Sequence, residues 1–224
     1  MNNMKKAVIL LSGGLDSAVT FYWAKKHKFT LTALIVDYHQ RHRKEIESAK
    51  KIAKLNTVAY QVVKVQLPWV HSSLTDKHIN VPCGRDLASR EIPVTYVSGR
   101  NIIFLSYAFS LAESIGARAI FIGAHVQDYS GYPDCRPWFL KSFQEAANAG
   151  MKAGNIRVVA PLIDKGKKEI IRDGLKLGVP FQYTWSCYQG GKRPCSECDS
   201  CRFRIKAFEE LGLTDPLIAQ MNTD

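Results

Sequence analysis

Apolar positions fall along this chain as short runs and spaced stripes in alternation. Ala7-Val8-Ile9-Leu10-Leu11 is an unbroken apolar run ending on Ser12-Gly13-Gly14, as expected of a buried strand that meets a loop. Residues 16–27 then predict a helix, with Asp16 or Ser17 placed to cap it. Residues 30–38 are β-branched and apolar and predict a second strand. Ile46, Ala49, Ile52 and Ala53 recur at helical spacing within 42–55, and 58–67 alternates as a third strand. The order βαβαβ is that of a parallel sheet with crossover helices. Residues 68–99 hold Pro68, Pro82, Gly84, Pro93 and Gly99 and show no period. A loop this long in a compact domain is usually functional. Residues 101–116 are apolar nearly all round, which predicts a buried helix. A fourth strand follows at 118–124, then a loop and a helix at about 137–149. Residues 156–162 give a fifth strand, 165–177 a helix stopped by Gly178 and Pro180, and a last helix falls near 201–211.

Composition narrows the class. The 224 residues are 46% hydrophobic and 23% charged, which suits one globular domain with a real core. No run of 18 apolar residues occurs, so no membrane span is expected. The first residues lack the apolar stretch and cleavage site of a signal peptide, and a cytoplasmic protein is the expectation. The net charge of +11 fits either a nucleic-acid surface or attraction of small anions such as ATP. The cations are scattered apart from Arg41-His42-Arg43-Lys44 and the stretch 165–168. No basic tail or Arg-rich arm marks a nucleic-acid partner.

Two strings carry chemistry. Leu11-Ser12-Gly13-Gly14-Leu15-Asp16-Ser17 lies where a strand gives way to a helix. Glycines let backbone N–H groups approach an anion, and the helix start adds unpaired donors. Ser12 and Ser17 offer hydroxyls to phosphate oxygens. Asp16 would repel phosphate alone and makes sense beside Mg²⁺. The string is not a Walker A loop; a tight turn with a capping Asp is the plainer alternative. The second string is C-x7-C-x2-C-x2-C, formed by Cys187, Cys195, Cys198 and Cys201. Four of the six cysteines in fifteen residues favour a metal over disulfides. Four thiolates close a tetrahedral structural zinc site, ranked above a [4Fe–4S] cluster or free thiols.

The phosphate loop resembles that of the N-type ATP pyrophosphatases, in which it holds the departing pyrophosphate while a substrate attacks the α-phosphorus. Further strings converge on one family: Gln40-Arg41-His42, Gly99-Arg100-Asn101, Asp128-Tyr129-Ser130-Gly131-Tyr132-Pro133-Asp134-Cys135-Arg136-Pro137, and Trp185-Ser186-Cys187-Tyr188. Together they resemble the 7-cyano-7-deazaguanine synthase family of queuosine biosynthesis, over about Ala7 to Leu211. Three positions depart from its usual pattern. His39 stands where glycine is common, His125 where asparagine is usual, and Trp138 where an acidic residue commonly follows Cys-Arg-Pro.

The resemblance implies a Rossmann-like α/β fold, adenine nucleotide alpha hydrolase-like, with a parallel five-stranded sheet and helices on both faces. One ATP-pyrophosphatase domain would span 1–224, with a C-terminal four-cysteine zinc-binding segment at about 181–224. The implied activity is ATP-dependent conversion of 7-carboxy-7-deazaguanine and ammonia to the 7-cyano compound, with structural zinc, and Mg²⁺ carried by ATP. Lys167 matches the family's lysine before its helix and is expected to offset phosphate charge, sharing catalysis with Asp16. Lys165 and Lys168 are expected to be solvated. Arg100, Asp128, Tyr132, Asp134 and Arg136 are expected to meet the substrate, while Cys135 reads as a small buried residue. Similar enzymes are often homodimers. Two rivals are a tRNA-modifying adenylation enzyme, which needs an extension this chain has little room for, and a zinc-containing nucleic-acid regulator without catalysis.

Overall fold

The computed structural model describes residues 5–84, 91–125 and 132–221. Its strands are β1 (Lys6–Leu10), β2 (Thr30–Asp37), β3 (Ala59–Lys64), β4 (Ala119–Phe121) and β5 (Arg157–Val159). Its helices are α1 (Leu15–Lys26), α2 (Lys44–Leu55), α3 (Arg100–Ile115), α4 (Pro137–Ala149), α5 (Lys167–Lys176), α6 (Asp199–Glu209) and α7 (Pro216–Met221). All five strands run parallel in the order β3-β2-β1-β4-β5. The five-stranded α/β expectation is borne out. Helix α7 has no counterpart among the expected elements.

Strand β1 is central, with Ile9 opposite Ala33 on one side and Phe121 on the other. Its pleat sends Ala7 and Ile9 to one face and Val8 and Leu10 to the other. Each set joins a separate core. One packs under α1, α2, α5 and α6, and the other under α3 and α4. Both faces of the strand are therefore apolar, which is why β1 reads as a solid run.

Successive strands leave β1 toward β2 on one side and β4 on the other. The order thus reverses between β1 and β4, and a crevice opens beyond their C-terminal ends. That crevice is where the phosphate-loop string and the residues after β4 meet.

Two expectations need correction. Helix α3 is not buried all round: Leu105, Ala108, Phe109 and Ala112 face the core, whereas Ile102 and Tyr107 are exposed. Helix α1 is the more deeply enclosed, with seven of its twelve residues buried, because α5 and two strands contact it. Nor do Asp16 or Ser17 cap α1. Gly14 holds the cap position, and the Ser17 hydroxyl donates back to the Gly14 carbonyl at 3.0 Å.

Within 68–99 the described residues form no helix or strand, as expected. Val70, Leu74 and Val97 pin this segment into the second core. The Arg41 guanidinium organises it by donating to the carbonyls of Ser73, Ile79 and Lys77. Arg43 is paired with Asp37 at 2.7 Å. The 41–44 cluster therefore spends two of its cations on the fold.

Candidate active site

Leu11 and Leu15 bury their side chains beneath the loop, at 1% and 2% exposure, and leave its backbone at the crevice. The Gly14 N–H donates to Ser12 Oγ at 3.2 Å, and Ser12 Oγ donates to Ser17 Oγ at 3.0 Å. Gly13 has φ +87°, and a Cβ there would lie 2.1 Å from the carbonyl oxygen of Glu45. Only glycine fits between the loop and α2. A Cβ on Gly14 would meet nothing closer than 3.4 Å, so that glycine leaves room above the loop instead. Gly123, after β4, is a third close approach, since a Cβ would come within 3.0 Å of the Asp16–Ser17 backbone. It directly precedes Ala124 and the His125 departure, and nothing local marks its close approach to the loop.

Asp16 and Lys167 are 151 residues apart and meet here. The Lys167 ammonium donates to both Asp16 oxygens, at 2.7 and 2.8 Å. His125 completes the group, with Nε2 2.9 Å from Lys167 Nζ and 3.6 Å from Asp16 Oδ2. Burial alone would raise the Asp16 pKa, but Lys167 and His125 outweigh it and hold the carboxyl below the usual carboxylate range. The two residues expected to share catalysis, Asp16 and Lys167, thus lie side by side, and the His125 departure falls beside them. Lys165 is not simply solvated: it pairs with Asp173 at 2.6 Å. His39 has φ +59°, the backbone region glycine adopts without strain, and Asp37 Oδ1 accepts its N–H at 3.2 Å. That explains why glycine suits this position. Trp138 is 63% exposed on α4, so no carboxylate is missing from the crevice there.

The crevice holds a cavity of about 230 Å³ lined by the phosphate loop, Tyr38, Gln40, Arg41, His42, Glu45, Arg100, Tyr132, Cys135, Trp185, Ser186 and Tyr188. Arg100 lies over the Tyr38 ring and donates to its hydroxyl at 3.3 Å. The Tyr132 hydroxyl bonds Thr95 at 2.9 Å. Asp134 is buried, and its Oδ2 accepts the Asn101 backbone N–H at 2.8 Å, a donor that the first turn of α3 would otherwise leave unpaired. Asn101 in turn donates to the Asp134 carbonyl and to Cys135 Sγ. The 132–136 string and the Gly99-Arg100-Asn101 string are thus one assembly. Arg136 stands at the head of α4, next to the cavity-lining Cys135, and is not itself one of the lining residues. Asp128 lies outside the described residues, as do Tyr129, Ser130 and Gly131. Cys135 is buried, as expected.

The sulfurs of Cys187, Cys195, Cys198 and Cys201 all lie within 4.8 Å of one another, with Cys195 and Cys201 at 4.0 Å. That is close to the edge of a tetrahedron with metal–sulfur bonds of about 2.3 Å. Cys187 accepts hydrogen bonds from Cys198 and Cys201, which lowers its pKa and pushes Cys198 up to about 12. One cation would resolve this conflict by taking all four as thiolates, so the donor set fits one metal ion. The segment touches the first site directly. The Trp185 N–H donates to the Gly13 carbonyl at 2.9 Å, and Lys44 lies 4.4 Å over the Trp185 ring. Arg204 fastens it from behind, donating to both Asp215 oxygens at 2.6 and 2.8 Å, to Thr184 Oγ1 and to the Phe181 carbonyl. No signal in the string foretold Arg204 or Asp215.

A parallel sheet with a glycine loop at its switch point, an ammonium and a carboxylate beside it, and a thiol cluster on its flank define a Rossmann-like α/β protein with an added four-cysteine segment that could hold a metal ion. NMN synthetase from Francisella tularensis shares the fold, with a TM-score of 0.52 and 15% identity over 99% of this chain and 78% of that one. The chain belongs to the family described as queuosine biosynthesis protein QueC, whose model matches residues 6–212. Relatives named 7-cyano-7-deazaguanine synthase include those of Trichodesmium erythraeum, 50% identical over 95% of this chain and 100% of its own length, and Nostoc punctiforme, 51% over 95% and 99%. That of Thermoplasma acidophilum is 49% identical over 95% of this chain and 91% of its own length. The family resemblance read from the motifs is borne out.

Proposed function

We propose that this chain converts 7-carboxy-7-deazaguanine and ammonia to 7-cyano-7-deazaguanine with two molecules of ATP, in the cytoplasm. The observation that carries the proposal is the Lys167 ammonium set on Asp16 against the phosphate loop, in a chain about half identical to proteins of that name. The chemistry follows from leaving groups. A carboxylate oxygen leaves poorly, so it attacks the α-phosphorus of ATP and departs later as AMP. Nitrogen from ammonia takes its place, giving an amide. The amide oxygen leaves no better, and a second ATP carries it off to give the nitrile.

Each residue has a definable part. The backbone N–H groups of the loop, with Ser12 and Ser17, bind the departing pyrophosphate. Lys167 releases Asp16 to pair with phosphate oxygens, where charge develops. Asp16 and the phosphates would hold Mg²⁺, which neutralises charge when bound. Its carboxylate at the loop, opposite an ammonium, fits that role. Arg100 and Tyr132 frame the heterocycle, and Asp134 acts through Asn101 to fix Arg100. Asp128 and Arg136 remain proposed substrate contacts. The four cysteines would hold Zn²⁺ as a closed structural site that braces Trp185 against the loop.

The test is stoichiometry. From the acid, each nitrile should accompany two AMP and two pyrophosphate. From the amide, one AMP should appear and ammonia should not be needed. An amide that binds without conversion, or one AMP per nitrile from the acid, overturns the two-round scheme.

A further inference from the structure

The reaction proposed above needs more than adenylation. Ammonia in neutral water is mostly ammonium, which has no lone pair to attack with. Later, the amide nitrogen must shed both protons before a third C–N bond can form. Some group in the cavity has to accept protons from nitrogen.

Two carboxylates line the cavity among the described residues, Asp16 and Glu45. Asp16 is engaged by Lys167 through both oxygens. Glu45 lies in the first turn of α2, the turn whose backbone presses on Gly13. Its carboxylate makes no hydrogen bond or ion pair with any described residue. Glu47, on the same turn, is exposed and serves as an ordinary helix-start acid. Glu45 is turned to the cavity instead. The groups that act on it are Arg100 from α3, Cys187 from the cysteine segment and Tyr38 at the end of β2. Arg41 and His42, just before it, share the lining. Burial pushes the Glu45 carboxyl up to about 7, against the opposing pull of Arg100. A base suited to neutral solution titrates in that range.

We propose that Glu45 is the proton acceptor for nitrogen in both rounds. In the first, the Glu45 carboxylate takes a proton from ammonium. The freed lone pair forms the C–N bond, the C–O bond to AMP breaks, and its electron pair leaves on the phosphate oxygen. Glu45 releases that first proton to solvent and then takes the surplus proton from the newly bonded nitrogen. In the second round the amide oxygen displaces pyrophosphate from ATP, and the nitrogen's first proton goes to the Glu45 carboxylate, which hands it to solvent. Glu45 then takes the last N–H proton, that pair closes the triple bond, and the second C–O bond breaks with its pair on AMP.

The inference rests on the two-round reading, and partial reactions separate the two. Pyrophosphate exchange into ATP with the acid alone needs no nitrogen chemistry. In Glu45→Gln the loss should fall on conversion of amide to nitrile, by about 10²-fold or more, while exchange persists. The wild-type rate from the amide should rise with pH through about 7, and that limb should vanish in Glu45→Gln. Glu45→Asp, which keeps a carboxylate, should recover part of the rate. Equal loss of exchange and nitrile formation would make Glu45 structural and overturn the proposal. So would a flat wild-type pH profile, which needs no variant to fold. Absence of exchange in the wild type would instead overturn the reading beneath it.

Discussion

The phosphate loop and the cysteine segment touch at the bond from Trp185 to Gly13, yet they are built on opposite principles. The loop takes its shape from the sheet. Its flanking leucines are sealed in the core, its N–H groups follow from a strand turning into a helix, and no ion is needed to form it. The cysteine segment has no strand, and its helix begins only at Asp199. Its small core consists largely of Trp185, Leu217 and the cysteines themselves. One region is a consequence of the fold; the other takes its order from side-chain ties and, in the function proposed above, from a metal held by its thiols. The loop is therefore expected to tolerate loss of the segment better than the segment tolerates loss of its metal.

The largest effect should come from metal removal. Structural zinc sites bind with free energies on the order of 10 kcal/mol, and that binding is coupled to folding. Purified protein should contain about one zinc per chain, as a closed four-thiolate site requires. Chelation, or Cys198→Ser, should expose amides of 185–201 to hydrogen exchange while β1 and β4 stay protected. Simultaneous loss of protection in both regions would mean that the loop depends on the metal as much as the segment does. An active, stable preparation with no metal would remove the segment's proposed role.

Next comes Arg204→Met. It leaves Asp215, 4% exposed, as an uncompensated buried charge, at a cost of about 3–5 kcal/mol. Replacing Asp215 by Leu as well should recover much of that loss, because an apolar pair needs no partner. Urea unfolding of the two variants checks this. If the double variant is no better than the single, Arg204 matters through Thr184 and the Phe181 carbonyl instead.

How far each region could be read in the sequence follows the same division. The loop, its strand and its helix were legible because glycine, apolar periodicity and chain order all act over a few residues. The thiol cluster was legible because its ligands sit within fifteen residues. Family likeness points to Lys167 at the phosphates, but its pairing with Asp16, 151 residues away, is not legible in the sequence. Glu45, Gly123 and the tie from Arg204 to Asp215 were not reached at all. Their meaning lies in what the fold brings beside them, and no local period encodes that. The partial exposure of α3 is hidden in the sequence for a related reason: apolar composition cannot say which face finds a partner.

A third test acts inside the loop. Gly13→Ala places a Cβ 2.1 Å from the Glu45 carbonyl at φ +87°, and should destabilise by on the order of 3 kcal/mol. Gly14→Ala meets nothing within 3.4 Å and should cost no more than about 1 kcal/mol. Its penalty should appear in ATP affinity, where the Cβ intrudes on the anion's approach. Equal thermal stability of the two variants would mean that α2 yields to the loop.

The last effect is the most specific to the loop. The Asp16 carboxyl is held below its ordinary value because Lys167 and His125 outweigh the cost of burying it. A depressed carboxyl stabilises the fold in full above its unfolded pKa, about 3.9, and loses that contribution as pH falls toward its folded value. Each unit of depression is worth about 1.4 kcal/mol. In Asp16→Asn the contribution is absent at every pH. The stability gap between wild type and this variant should therefore stay constant from neutrality down to about pH 5, then narrow on further acidification. Urea midpoints measured across that range, without nucleotide, give the gap directly. A gap that stays constant into strong acid would mean that Asp16 gains nothing from Lys167 in the folded state. The loop would then be a turn with a carboxylate on it rather than a charge pair poised for phosphate.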